Sequence, residues 1–302
     1  MKHNVKITII LLCMFFISQL IGIFVIKQYF SNELPYGMQP PEMKPTASLT
    51  SILTSMIIAI FLIFILMKFK AQLFLKLWFF LVVILALALS INSLFLFFKI
   101  DSYLAIIPII ISIPLAIYKI FKRNIIIHNT TELFVYPGIA AVFVPILNLP
   151  AIIILLLLIS VYDIYAVWHS GFMQKMAKFQ INQLKIFTGF FLPYADKKTK
   201  EKIKFLKEKY KNKIPNKILK TKKFKIQLAI LGGGDVVFPM ILAGVVLKAF
   251  GFFPALIISL FATLSLLYLF VLAKKGKFYP AMPYLTAGCL LGLLVVWLIF
   301  LL

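Results

Sequence analysis

Two aspartates are the residues of this chain best placed to do chemistry. Asp163 stands in Tyr162-Asp163, within the apolar run 150–168, and Asp235 closes Leu231-Gly232-Gly233-Gly234-Asp235, within another that extends from about 226 to 250. A carboxylate near the middle of a bilayer costs roughly 2.5–3.5 kcal/mol on insertion scales, so an acid at that depth is a functional hypothesis by default. The nine acids of the chain are Glu33, Glu42, Asp101, Glu132, Asp163, Asp196, Glu201, Glu208 and Asp235. Seven are expected in loops or at span ends, where water reaches them. Only Asp163 and Asp235 are expected at membrane depth, with no mid-span Lys or Arg to neutralise them.

Two carboxyl groups facing each other across a wet cleft cannot both ionise readily, so the pair shares a proton. The ionised acid then activates water, the protonated one polarises a carbonyl, and a tetrahedral intermediate is held between them. Glycines suit such a site, because without Cβ atoms they let another backbone approach and loosen a helix before Asp235. Plainer roles exist for each feature alone: a membrane acid can cap a helix, and a glycine run can serve helix packing. A competing functional class is a secondary transporter or cation leak pathway that uses the two acids as an ion site. That class calls for inverted repeats, and no convincing internal repeat is visible. A non-catalytic scaffold is a third class, in which both aspartates are dispensable.

The elements that must position these residues follow from composition. Of 302 residues, 63% are hydrophobic and only 14% charged, and mean hydropathy is +1.04, as in a polytopic membrane protein. At about 20 apolar residues per span, an all-α bundle of nine transmembrane helices is expected, over 7–26, 49–67, 74–98, 103–120, 132–148, 150–168, 226–247, 252–273 and 281–302. Pro145, Asn148 and Pro150 argue for a tight reversal between the fifth and sixth spans rather than one long helix. Lys2 and Lys6 precede a first run too long for an ordinary signal peptide, with no small-residue cleavage site, so it is expected to be retained. The chain reads as one polytopic domain, with spans one to six in 1–168, a basic inner loop at 169–225 and spans seven to nine in 226–302.

Loop charge sets the orientation. Lys and Arg outnumber Asp and Glu by 32 to 9, and 17 Lys against three acids lie between His169 and Lys225. Lys68, Lys70 and Lys76, then Lys119, Lys122 and Arg123, then Lys274, Lys275 and Lys277 mark the other loops of the same side. The alternation predicts an inside N-terminus and an outside C-terminus. With span six running inward and span seven outward from residue 226, both aspartates fall roughly 8–14 Å from the inner boundary. They are expected level with each other on consecutive antiparallel helices.

The remaining features are read more plainly. The inner lysines fit topology and attraction to anionic lipid headgroups, about 1 kcal/mol each near the surface. No nucleic acid is expected as a partner, for want of interleaved aromatics in a recognisable module. Cys13 and Cys289 lie in apolar runs at opposite ends, and His3, His128 and His169 have no ligand spacing, so neither a disulfide, a metal nor a cofactor is expected. Asn129-Thr130-Thr131 matches a glycosylation sequon but is expected in an inward-facing loop. The 28–48 loop is expected to be extended or partly disordered. Within the inner loop, Lys197 to Lys211 has helical character, and Gln183–Leu192 and Lys222–Ile230 alternate as strands do.

With Tyr162-Asp163 in span six and Gly232-Gly233-Gly234-Asp235 in span seven, the chain resembles the presenilin and signal peptide peptidase family of intramembrane aspartyl proteases, most closely its archaeal presenilin-like members. That family carries a YD motif, a GxGD motif and a PAL motif at the head of its ninth span. Pro254-Ala255-Leu256 matches PAL literally but opens span eight; Pro280-Ala281-Met282 opens span nine with Met in place of Leu, a change that keeps size and apolarity. Position favours Pro280, Ala281 and Met282. Prepilin peptidases also use GxGD, but with a Lys soon after the Asp, where Val236 and Val237 stand here. The resemblance implies catalysis by Asp163 and Asp235, active-site support from Gly232, Gly234, Pro280, Ala281 and Met282, and helical transmembrane peptides as substrates. Tyr162 is a candidate for orienting the pair by its hydroxyl. Nothing in the sequence requires accessory subunits, and a multi-pass protein of a prokaryotic, archaeal cell membrane is expected.

Overall fold

Proline and asparagine punctuate the apolar runs where the helices break. A computed structural model describes residues 5–38, 45–69, 71–100, 106–122, 124–169, 186, 188–195, 226–273 and 278–300. Among them are helices α1 (Val5–Gln28), α2 (Pro45–Lys68), α3 (Gln72–Phe97), α4 (Ile106–Ile117), α5 (Ile125–Phe143) and α6 (Leu149–Trp168). Strands β1 (Gly189–Ala195) and β2 (Ile226–Gly232) follow, then α7 (Gly233–Phe250), α8 (Phe252–Leu272) and α9 (Met282–Phe300). The Asn148 side chain accepts from the Ala151 N–H at 3.0 Å and caps α6. Pro150 sits in the first turn, where its missing N–H costs nothing. The expected reversal between the fifth and sixth helices is therefore present.

Seven of these helices are long and apolar enough to cross a membrane: α1, α3, α5 with the 3-10 turn that follows it, α6, α7, α8 and α9. Large apolar side chains such as Trp78, Val161, Phe253 and Ile299 stay on the outside of the bundle. That is the arrangement of an integral, multi-pass protein whose solvent is lipid.

α7 is the central element, packed against α1, α5, α6, α8 and α9. Val236, Met240, Leu242, Ala243 and Val246 along it are fully buried. Small residues make this closeness possible: a Cβ on Gly22 of α1 would overlap the Met240 side chain, and one on Gly244 would meet Val144 and Ile26. Gly288 and Gly292, four apart on α9, lie against Ser265, Phe261 and Ile258 of α8 in the same manner.

Several expectations are corrected. The first seven residues of the seventh apolar run are strand, not helix: β2 pairs antiparallel with β1, with Gly189 opposite Gly232 and Ala195 opposite Ile226. A strand partner is at hand for Ile226–Gly232, and glycine is a poor helix former, so the helix starts only within the glycine run, at Gly233. The bundle is thus not purely helical, and the depth comparison that counted nine helical residues before Asp235 does not hold. Both strands lie close to the alternating segments read from sequence, displaced toward their C-terminal ends, while 222–225 and the 197–211 stretch lie outside the described residues. α5 begins at Ile125, not at 132. His128, Asn129 and Glu132 are consequently in a helix and buried, where a loop and a watery span end were expected. Lys119, expected in a loop, is buried in a π-helical turn, Tyr118–Lys122, at the end of α4.

Candidate active site

Asp163 lies five residues before the end of α6 and is buried. Its carboxylate accepts the backbone N–H of Met282 at 3.0 Å, with the Ala281 N–H alongside. Those donors are the first of α9, which have no partner within their own helix. Pro280 and Pro283 flank this start, and neither can extend the helix backward or donate. The Asp163 carboxylate therefore stands where a capping side chain would, supplied by another helix. One turn away, the hydroxyls of Ser160 on α6 and Thr286 on α9 hydrogen-bond at 2.7 Å and tie the same two helices.

Asp235 is the third residue of α7, in its first turn. Its carboxyl reaches back to the N–H of Gly232 and lies close enough to Asp163 for the two carboxyl groups to interact electrostatically. A Cβ on Gly232 would stand 3.0 Å from Asp235 Oδ2. On Gly233 it would meet the Tyr136 ring at 3.0 Å and its hydroxyl at 3.2 Å, whereas on Gly234, which is exposed, it would meet only the Phe238 ring at ordinary contact distance. A Cβ on either of the first two glycines would thus need a neighbour to shift by a few tenths of an ångström, whereas the third is exposed and has room.

The sheet behind this turn has one edge closed. Gly189 donates its N–H to Glu132 Oε1 at 3.3 Å, and its carbonyl lies 2.9 Å from His128 Nε2. The Asn129 side chain both donates to the Phe191 carbonyl, at 2.9 Å, and accepts from its N–H, at 3.1 Å. Gly189 and Phe191 therefore turn their backbone polar groups to α5, and the alternation of an antiparallel ladder turns those of Leu228 and Ile230 to the opposite edge of β2. No third strand covers that edge among the described residues.

The structure brings Asp163, Asp235, Gly232, Ala281 and Met282 together. Tyr162 is adjacent and partly buried, but its hydroxyl has no hydrogen bond to either acid. Pro254, Ala255 and Leu256 lie at the start of α8, beyond the far end of α7, about 20 Å along that helix from Asp235. No three His, Cys, Asp or Glu gather as a metal site among the described residues. Sequence reading missed Tyr136, Glu132, Lys119, His128 and Asn129. One signal was available, the spacing of His128, Glu132 and Tyr136 at i, i+4 and i+8, which puts them on one helix face.

A carboxyl pair contributed by two helices of a multi-pass bundle, Asp163 buried and Asp235 half-buried, defines a class, that of intramembrane sites built on acids. The family model described as signal-peptide peptidase, presenilin aspartyl protease matches residues 12–302, and the chain belongs to that family. A solved structure of a presenilin family intramembrane aspartate protease, in a C222 crystal form, is similar with a TM-score of 0.62 and 16% identity over 95% of this chain and 97% of that one. A second such structure, in a P2 form, gives 0.58 and 17% over 94% and 95%. At these identities the likeness speaks for the fold. No curated protein sequence matches the chain significantly.

Proposed function

We propose that the protein is an endopeptidase that cuts transmembrane segments inside the bilayer, with Asp163 and Asp235 as its catalytic dyad. The observation that carries this reading is the meeting of the two acids, one from α6 and one from α7, at a glycine turn whose Gly234 is exposed. Water bound between the carboxyl groups attacks the scissile carbonyl carbon and gives its proton to the ionised acid, while the other acid protonates the carbonyl oxygen. Collapse of the tetrahedral intermediate breaks the C–N bond, and the leaving amine takes a proton from the pair. The two acids titrate together, so neither role belongs to one residue.

A substrate helix hides its peptide carbonyls in hydrogen bonds and must be unwound before attack. The edge of β2 that no described strand covers supplies an alternative ladder at Leu228 and Ile230, seven and five residues before Asp235, to which an extended substrate adds as a strand. Pro280 keeps the segment before α9 from closing the site as helix. The nine helices are read as nine spans with the N-terminus inside, the basic loop on the inner face against anionic headgroups, and no accessory subunit needed.

The test is purified protein in lipid vesicles with a labelled transmembrane peptide, with and without a transition-state analogue of aspartic proteases. Cleavage that the analogue blocks, and that vanishes in Asp163→Asn and Asp235→Asn, supports the proposal. Intact peptide together with ion flux abolished by the same substitutions would instead favour an ion pathway.

A further inference from the structure

The buried polar cluster toward the N-terminal end of α5 plays no part in the chemistry described so far. Lys119 Nζ lies 2.6 Å from Glu132 Oε1, His128 Nε2 lies 3.5 Å from the same oxygen, and all three side chains are nearly inaccessible. Such a pair is a weak source of stability. Taking both charges out of water offsets most of their attraction, and apolar replacements of similar volume are often neutral or stabilising. The geometry gives it another use. Glu132 and His128 hold the N–H and carbonyl of Gly189, and Asn129 holds both groups of Phe191. Gly189 is the residue opposite Gly232, and Gly232 begins the turn that carries Asp235.

One turn along the same face, Tyr136 continues the contact. Its ring meets Phe190 edge-on, with centroids 5.4 Å apart, and presses on Gly233. Its buried hydroxyl stands near Glu132 and Asp235 without a hydrogen bond of ordinary geometry to either. Strand β1 is thus gripped along one edge by side chains of α5, and β1 in turn fixes β2 and the glycine turn.

We infer that His128, Asn129 and Glu132, with Lys119 as the counter-charge that keeps Glu132 in place, are positioning residues for Asp235. They act as a side-chain substitute for a third strand on the β1 edge. The inference rests on the reading of Asp235 as catalytic. A misplacement of about 1 Å at a reacting group costs on the order of 100-fold in rate, so loosening this grip acts on turnover rather than on substrate capture.

The experiment compares the full chain in lipid vesicles as wild type, Asp235→Asn, Lys119→Met/Glu132→Leu, Lys119→Met/Glu132→Gln and Asn129→Leu, with kcat and KM for a labelled transmembrane peptide and hydrogen exchange at β1 and β2. Lys119→Met/Glu132→Leu removes the charges together and leaves no acceptor for Gly189. We expect kcat to fall about 10- to 100-fold with KM within about twofold, and faster exchange at Phe190 and Leu231. Lys119→Met/Glu132→Gln keeps an oxygen for the Gly189 N–H and is expected to lose much less. Asn129→Leu, which involves no buried charge, is expected to lower kcat in the same direction with the fold intact. The inference is overturned if Lys119→Met/Glu132→Leu and Asn129→Leu turn over like wild type. Equal losses in the Leu and Gln double variants, in proportion to the unfolded fraction, overturn it too. A wild type that does not cut, or Asp235→Asn that cuts like wild type, counts against the protease reading; unchanged exchange at Phe190 and Leu231 counts against the grip whatever the activity.

Discussion

The two acids reach the same place by different means. Asp163 is part of an unbroken helix, and its carboxylate is fixed by the opening N–H groups of α9 and by the Ser160 to Thr286 bond one turn away. Asp235 sits on the first turn of a helix that opens with Gly233 and Gly234, and what fixes it is non-local: β2, β1, and the side chains of α5 behind β1. A residue on a continuous helix is positioned by many small packing contacts, so single changes around it are diluted. A residue on a turn is positioned by a few specific contacts, and each of them matters more. The Asp235 half should therefore be the sensitive one.

The largest effects test what the halves share. Asp163→Asn and Asp235→Asn are each expected to lower kcat by on the order of 10³-fold, measured on a labelled transmembrane peptide. Asn at 163 still offers an oxygen to the Met282 N–H, so the thermal midpoint should hardly move. Asp163→Ala removes the acceptor as well and is expected to cost about 1 kcal/mol of stability besides activity. If the Asn variants cut normally and only the Ala variant is affected, Asp163 is a helix cap and nothing more.

Next comes the asymmetry within the glycines. Gly233→Ala places a methyl 3.0 Å from the Tyr136 ring, and overpacking of this kind costs about 1–3 kcal/mol. The ring backs the Asp235 turn, so a loss of about tenfold in kcat is expected. Gly234→Ala meets only Phe238, at 3.6 Å, and should be the milder change. The comparison is broken if Gly234→Ala proves the worse of the two in both turnover and melting, because the turn would then be limited by its open side rather than by α5.

Legibility followed the same division. The helices, their breaks at Asn148 and Pro150, and the acid pair could be read because each is local: an apolar run long enough to span, a cap beside a proline, a carboxylate that has no business in lipid. The start of α9 was legible for a similar reason, since Pro280 and Pro283 bracket it. What escaped depends on partners elsewhere in the chain, as far as 62 positions away for Asn129 and Phe191. Ile226–Gly232 reads both ways, as the start of an apolar span and, over Lys222–Ile230, as an alternating strand, and its pairing with Gly189–Ala195 decides for strand. His128, Asn129 and Glu132 look like a polar loop until β1 is there to receive them. Lys119 looks like an orientation signal until Glu132 is found beside it. Hydropathy assigns such residues to water because it prices each alone, and these are buried in pairs.

The smallest expected effect probes the Asp163 half alone. Thr286→Val keeps the shape of the side chain on α9 and removes its bond to Ser160. Interhelical hydrogen bonds in membranes average about 0.6 kcal/mol, and Ser160 retains its own bond to the Leu156 carbonyl at 2.7 Å, so no hydroxyl is left stranded. The thermal midpoint should drop slightly and kcat by no more than about threefold, because the Met282 N–H still fixes Asp163. A loss as large as that of Gly233→Ala would mean that α6 and α9 are held together at one point rather than along their length. The distinction between a diluted half and a sensitive half would then disappear.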